Sequence, residues 1–283
     1  MGDRVVLSYY QANKILEARR GGRTSVRTSL DLGMTDTEVR LGADRVALSE
    51  SVAVDWSAIE LIARGEPMCF LVQDGAAEKI HRFSIAFNRP YSLMATTGWP
   101  TLVNSGFTMH RIVGIDPGRD TEEKLRALGA PRGRVLDTTT GLGYTAAAAG
   151  RTADEVITIE VDPLVLEIAA LNPWSRDLFA NRRITQLTGD SAALIEDFPD
   201  LAFTHVIHDP PTLRLAGDLY GGAFYRQVFR VLGHGGTLFH YVGNLESRQG
   251  AMVGKGVMRR LRESGFSRVT PKPSAFGVLA TRP

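Results

Sequence analysis

The segment His208-Asp209-Pro210-Pro211-Thr212 carries the residue types best suited to chemistry in this chain. Proline restricts the residue before it to an extended conformation and fixes its own φ, so Pro210 and Pro211 stiffen the segment and aim the Asp209 carboxylate in one direction. A carboxylate held that way accepts hydrogen bonds from an amine, orients the nitrogen lone pair and takes up a proton. The bland alternative is a strand-ending turn that merely reads Asp-Pro-Pro. What lies upstream decides between the two.

Upstream, Asp137-Thr138-Thr139-Thr140-Gly141-Leu142-Gly143 runs straight into Tyr144 and an alanine-rich segment. Glycines at alternate positions of a strand-to-helix turn let backbone approach a ligand closely, because no Cβ intervenes. About twenty residues later comes Glu160-Val161-Asp162, where such folds place a carboxylate for ribose hydroxyls. Gly189-Asp190-Ser191 closes a third strand with a group suited to an adenine amine. Polar groups at successive strand ends form one crevice where the strand order reverses.

These residues need a parallel sheet to bring them together. From about residue 120 the pattern alternates apolar strands with amphipathic helices, as parallel βαβ units do. Strands are expected at Arg134 to Asp137, Glu155 to Glu160, Ile184 to Thr188, His205 to Asp209, Gly236 to Val242 and Phe276 to Thr281. Helices are expected at Tyr144 to Ala149, Pro163 to Leu171, Ala192 to Phe198, Ala223 to Leu232 and Val257 to Ser264. Earlier in the chain, period-two runs such as Val39 to Leu41 and Arg45 to Leu48 predict short antiparallel strands, with helices over Tyr9 to Arg19 and Trp56 to Arg64. The expected division is a mainly β accessory domain, 1–106, and a Rossmann-like catalytic domain, 107–283.

Composition narrows the class. The 283 residues carry 33 basic and 31 acidic side chains, a balance that neither demands nor excludes a nucleic-acid partner. A single cysteine, Cys69, sits in an apolar run, so no intrachain disulfide can form. The histidines lack partners at metal-ligand spacing, and no metal is expected. No apolar run approaches the ~20 residues that span a bilayer, and no apolar leader is visible, so the expected address is the cytoplasm. Met1-Gly2 opens like a myristoylation signal, but Val6 stands where Ser or Thr is required.

Val135 to Tyr144, Glu160, Gly189-Asp190 and His208 to Pro211 resemble the motifs of class I S-adenosylmethionine-dependent methyltransferases. That resemblance implies S-adenosylmethionine against Asp137, Thr138, Thr139, Gly141, Gly143, Tyr144, Glu160, Val161, Asp190 and Ser191. Thr139 takes the place of the family's first loop glycine. Nicotinamide enzymes fit less well: their loop cradles a pyrophosphate, which Asp137 would repel, whereas a sulfonium cation is favoured beside a carboxylate. More closely, Val135 to Thr145, Leu171 to Arg176 and Ile207 to Pro211 resemble a family of predicted archaeal methyltransferases that is also similar to spermidine synthases. Ser29 to Gly33 and Met109 to Arg111 extend this likeness over nearly the whole chain.

Asp209-Pro210-Pro211 is similar to the Asp-Pro-Pro-aromatic signature of methyltransferases that act on exocyclic amines of nucleobases. Thr212 replaces the stacking aromatic, leaving Tyr220, Phe224 or Tyr225 as substitutes. The resemblance therefore implies methylation of an amine nitrogen, in nucleic acid or in a small amine. Asp209, Pro210 and Pro211 would act at the transfer point, with His208, Thr212 and Tyr220 on the acceptor side. His208, pointing away from its strand neighbour, is expected to support Asp209. Leu219 to Tyr225 and Leu232 to Gly236 resemble polyamine aminopropyltransferases, which use decarboxylated S-adenosylmethionine, although their Gly-Gly-Gly-acidic-Gly loop is missing. Aminopropyl transfer is the alternative, and a non-catalytic cofactor-binding protein is a third reading. The N-terminal part is open to three roles: gripping substrate, covering the crevice, or forming a homodimer contact.

Overall fold

The computed structural model describes residues 4–213 and 215–283, so the Met1-Gly2 opening lies outside the described residues. The chain divides into two compact units, one running to Gly118 and including Leu164–Arg176, the other made of Arg119–Pro163 and Asp177–Pro283.

The first unit begins with β1 (Val5–Ser8), α1 (Tyr9–Arg20), β2 (Ser25–Thr28), β3 (Thr37–Leu41), β4 (Arg45–Ala47), β5 (Ala53–Asp55) and α2 (Trp56–Arg64). It continues with β6 (Cys69–Gln73), β7 (Ala76–Lys79), β8 (His81–Ser84), β9 (Arg89–Met94), β10 (Thr101–Asn104) and β11 (Phe107–Thr108). These form three small antiparallel sheets, ordered β1-β6-β7, β2-β3-β4-β5 and β11-β10-β9-β8. Ser8 starts α1 through a capping box in which its N–H donates to Gln11 Oε1 at 2.9 Å. Leu7, Ile15, Val39, Val46, Ile59 and Ile62 form one fully buried cluster. The expected boundary at 106/107 would cut the β10–β11 hairpin, whose Asn104 pairs with Phe107. The compact unit instead runs on to Gly118.

After α3 (Pro117–Leu128) come β12 (Arg134–Asp137), α4 (Tyr144–Ala149), β13 (Glu155–Glu160), α5 (Pro163–Leu171), α6 (Arg176–Ala180), β14 (Ile184–Thr188) and α7 (Ser191–Leu194). The chain ends with β15 (Phe203–His208), α8 (Gly222–Val231), β16 (Leu232–Tyr241), α9 (Arg248–Glu263), β17 (Ser267–Lys272) and β18 (Gly277–Thr281). The sheet order is β14-β13-β12-β15-β16-β18-β17. Its first five strands are parallel, and β18 runs antiparallel to both of its neighbours. This is the expected Rossmann-like sheet of the class I methyltransferase type. Strand order reverses between β12 and β15, so the turns leaving those strands flank the switch point. Val206, Leu238, Val257 and Leu261 are fully buried in the cluster that packs the sheet.

Among the departures from expectation, three matter for packing and for the candidate site. Helix α9 starts at Arg248, not Val257, and its early glycines are packing sites: a Cβ on Gly250 would lie 1.9 Å from Asn244 O, and one on Gly254 2.5 Å from Leu245 Cδ2. Strand β17 was not anticipated; of its residues only Val269 is buried, and an edge strand tolerates Pro271. Helix α3 was not anticipated either, and it carries two residues of the candidate site.

Candidate active site

The glycine turn is sewn to the strands on either side. Thr138 N–H donates to Ile207 O at 3.0 Å, and Thr140 N–H to Ile159 O at 2.8 Å. Gly141 and Gly143 have φ of +54° and +75°, a region that favours glycine. A Cβ on Gly143 would lie 2.5 Å from Leu178 Cδ2, so that glycine is needed for packing. Gly141 differs: nothing lies within 4 Å of where its Cβ would be. Beside it, the Thr139 hydroxyl is buried with no hydrogen-bond partner. Open space over a glycine and an unsatisfied buried hydroxyl are what a ligand with polar groups would fill.

Two buried carboxylates back this turn. Asp137 accepts from Thr145 Oγ1 at 2.8 Å and from Thr139 N at 3.3 Å. Glu160 accepts from Gly141 N at 2.8 Å through one oxygen and from Asp162 N at 3.1 Å through the other. Among the described residues no cation pairs with either, and burial pushes each up to about 7. Asp209 adds to the rise at Asp137, as Asp162 does at Glu160. Asp190 is exposed at the end of β14 and caps α7, accepting from Ala192 N at 2.8 Å. Ser191 is buried, its hydroxyl donating to Thr138 O, while Val161 is exposed and Tyr144 buried. These residues could hold an adenosyl group at the turn, with carboxylates offered to hydroxyls and to a cation.

Across the switch point, Asp209 follows β15 and meets a partner absent from the sequence reading. Lys124 Nζ lies 2.6 Å from Asp209 Oδ2 and 2.8 Å from Asp120 Oδ2, and 4.8 Å from the centroid of the Tyr241 ring. Burial alone would lower the pKa of this ammonium, but the two carboxylates outweigh that and hold it above its ordinary value. Asp120 and Lys124 sit one helical turn apart on α3 and point the same way. An i, i+4 Asp–Lys pair is the signal that could have found them. On a polar helix, though, it reads first as surface.

His208, placed on the acceptor side from sequence, is fully buried. Its Nε2 bonds to Leu219 O at 2.9 Å, so that nitrogen carries the proton. Nδ1 lies 2.6 Å from Thr138 Oγ1, and burial lowers the ring's pKa to about 3. With both nitrogens engaged, His208 ties the β12 turn to the loop after β15. Tyr220 is likewise buried, its hydroxyl donating to Pro211 O at 3.1 Å. Thr212 is exposed. Phe224 and Tyr225 are core residues, so none of the three aromatics proposed to stack on a base is available to do so. The loop is braced instead: His208 and Tyr220 hold the segment on which Asp209 sits.

Trp174 packs within the first unit, stacked 4.9 Å from Trp99, and its Nε1 donates to Leu32 O at 3.0 Å. That explains the Asn-Pro-Trp run and the Ser29 to Gly33 turn as scaffold. Among the described residues no cluster of His, Cys, Asp and Glu suits a metal, and no helix is long and apolar enough to cross a membrane.

No family model matches the chain. The uncharacterized protein MJ1233 of Methanocaldococcus jannaschii is 38% identical over 284 aligned positions, covering 99% of this chain and 97% of that protein. Among solved structures, a spermidine synthase in complex with the transition-state analogue AdoDATO superposes with a TM-score of 0.60 at 18% identity, over 72% of this chain and 73% of the other. Spermidine synthase from Thermotoga maritima gives 0.57 at 18% identity, over 75% and 76%. MnmC2 from Aquifex aeolicus gives 0.51 at 19% identity, over 68% and 71%. At these identities the structural likenesses establish the fold.

Proposed function

Because the chain belongs to the family of MJ1233 from Methanocaldococcus jannaschii and folds as class I methyltransferases do, we propose that it is a transferase that moves a methyl group from S-adenosylmethionine to an amine nitrogen. The observation that carries this reading is Asp209. Its carboxylate sits at the switch point, is held on Oδ2 by Lys124, and stands on a loop braced by His208 and Tyr220. Bound S-adenosylmethionine would supply an electrophilic carbon on a positively charged sulfur. Asp137, Thr139, Gly141, Glu160 and Asp190 would hold it, with Glu160 toward the ribose and Asp190 toward the adenine. Asp209 would orient the acceptor nitrogen by accepting its N–H, and a fixed orientation of this kind is worth several orders of magnitude in rate.

The burial of Tyr220, Phe224 and Tyr225 leaves a nucleobase without the expected stacking platform and favours a small aliphatic amine. The same observation keeps a second reading in view, aminopropyl transfer from decarboxylated S-adenosylmethionine to a polyamine. Incubation with labelled S-adenosylmethionine and separate RNA, DNA, protein and small-amine fractions should place label in the small amines. A clear preference for the decarboxylated donor, together with a lengthened polyamine, would replace methyl by aminopropyl transfer.

A further inference from the structure

Stability does not explain the Asp120–Lys124–Asp209 cluster. Desolvating an ammonium is costly, and well-packed apolar residues of similar volume commonly stabilise a fold as much as a buried ion pair or more. The cluster is also asymmetric: the Lys124 and Asp120 side chains are 2% and 0% exposed, and Asp209 is 14% exposed. What it shows to solvent is a carboxylate with a buried ammonium behind it.

Resting on the amine-transfer reading, we propose that Lys124 is a positioning residue that fixes Asp209 as a hydrogen-bond acceptor and offsets its charge, so that the acceptor amine is not held as an unreactive ammonium. An aliphatic amine titrates near ~10, as lysine does, and its protonated form has no lone pair. An unbalanced carboxylate nearby favours that charged form by about one to three pKa units, and a fixed cation opposes it. With Lys124 in place the bound amine releases its proton to solvent more readily. The neutral nitrogen then attacks the sulfonium-attached carbon. The C–N bond forms as the C–S bond breaks, the bonding pair stays on sulfur to leave a neutral thioether, and the positive charge passes to nitrogen. The product departs as an ammonium, so Asp209 need not keep a proton. Asp120 completes the arrangement by holding Lys124 charged despite its burial.

The test uses the full chain, spermidine as probe, and both S-adenosylmethionine and its decarboxylated form as donors. Lys124→Met should bind spermidine more tightly, by roughly tenfold by calorimetry at neutral pH, because a carboxylate has lost its balancing charge. Transfer to spermidine should fall by at least about tenfold in the same preparation. Lys124→Arg should keep both quantities within a few-fold. If Lys124→Met fails to fold, Lys124→Gln, which keeps a hydrogen-bond donor for the two carboxylates but no charge, should show the same opposed changes. Affinity and transfer falling together at an unchanged melting temperature would reduce Lys124 to a structural residue and overturn the proposal. If the wild type transfers nothing from either donor while the variants still bind spermidine more tightly, the amine-transfer reading fails and the charge-balancing role of Lys124 stands.

Discussion

The two sides of the crevice handle charge differently. At the ends of β12 and β13, Asp137 and Glu160 are buried carboxylates satisfied, among the described residues, by hydroxyl and N–H donors, and burial pushes both up to about 7. After β15, Asp209 has an ammonium 2.6 Å away. The first side is incomplete in charge and gains from a cationic ligand. The second sets one buried ammonium against two carboxylates, which offsets part of their charge and holds Asp209 in place. A sulfonium donor and an amine acceptor match those two characters in turn.

Removing the placing group is the strongest way to test the contrast. Asp209→Ala deletes the carboxylate but leaves Pro210, Pro211 and the braces from His208 and Tyr220, so donor binding should largely survive. Transfer should fall by roughly a hundredfold to ten-thousandfold, the usual cost of losing a positioned acid, base or orienting group. Both quantities need measuring on one preparation with its melting temperature checked. Near-normal transfer by Asp209→Ala to the true acceptor would end the amine-orienting role.

The contrast was only half legible in the sequence. The glycine-turn side shows in Asp137, Gly141, Gly143 and Glu160, because a parallel strand announces itself by a run of apolar residues and its turn by glycines. The parallel strands and α4 and α5 were likewise readable. The Asp120–Lys124–Asp209 cluster was not. Helix α3 buries Asp120, Thr121, Lys124 and Leu128, a stripe in which three of the four side chains are polar, so hydrophobic periodicity passes over it. Aromatics gave the opposite error. Tyr220, Phe224 and Tyr225 follow the Asp-Pro-Pro loop as a stacking surface would, but on an amphipathic helix and its entry turn they face the core. Side-chain direction there depends on the sheet beneath them, which spacing alone does not supply.

On the donor side, Glu160→Ala and Asp190→Ala should each weaken S-adenosylmethionine binding by about tenfold or more, the loss of a charge-assisted hydrogen bond of roughly 1.5–3 kcal/mol. Asp190→Ala also removes the cap on α7, worth about 1 kcal/mol, and should lower the melting temperature slightly. Unchanged affinity in both variants by calorimetric titration would move the donor out of this crevice.

A gentler probe is pH. Because folding raises Asp137 and Glu160 to about 7, the native chain holds protons that the unfolded chain has released. Their contribution to stability is therefore fully present below the unfolded carboxylate range near 4 and falls away as pH rises through about 7. A cationic donor reverses the preference by stabilising the ionised forms. Its affinity should rise severalfold from pH 6 to pH 8 with release of protons, whereas the neutral thioether product should show a flatter profile. Equal pH profiles for the two would mean that neither carboxylate faces the sulfonium.

The smallest expected effect tests whether the acceptor side depends on placement as well as on charge. Tyr220 is buried, and its hydroxyl donates to Pro211 O at 3.1 Å, two residues beyond Asp209. Burial first, and then the charge of Asp209, keep that phenol protonated, so it remains a donor at any working pH. Tyr220→Phe keeps the ring among His208 and its neighbours but leaves a proline carbonyl without this partner. The expected cost is about 1 kcal/mol of stability. No titrating group or ion pair is removed, so donor affinity and the pH profile should not move. Transfer should fall only a few-fold, because the prolines still restrict the loop while the carboxylate gains some freedom of direction. A fall as large as that of Asp209→Ala would place the tyrosine hydroxyl in the chemistry itself. No change in transfer, with the stability loss present, would show that the carboxylate is aimed without help from the tyrosine hydroxyl.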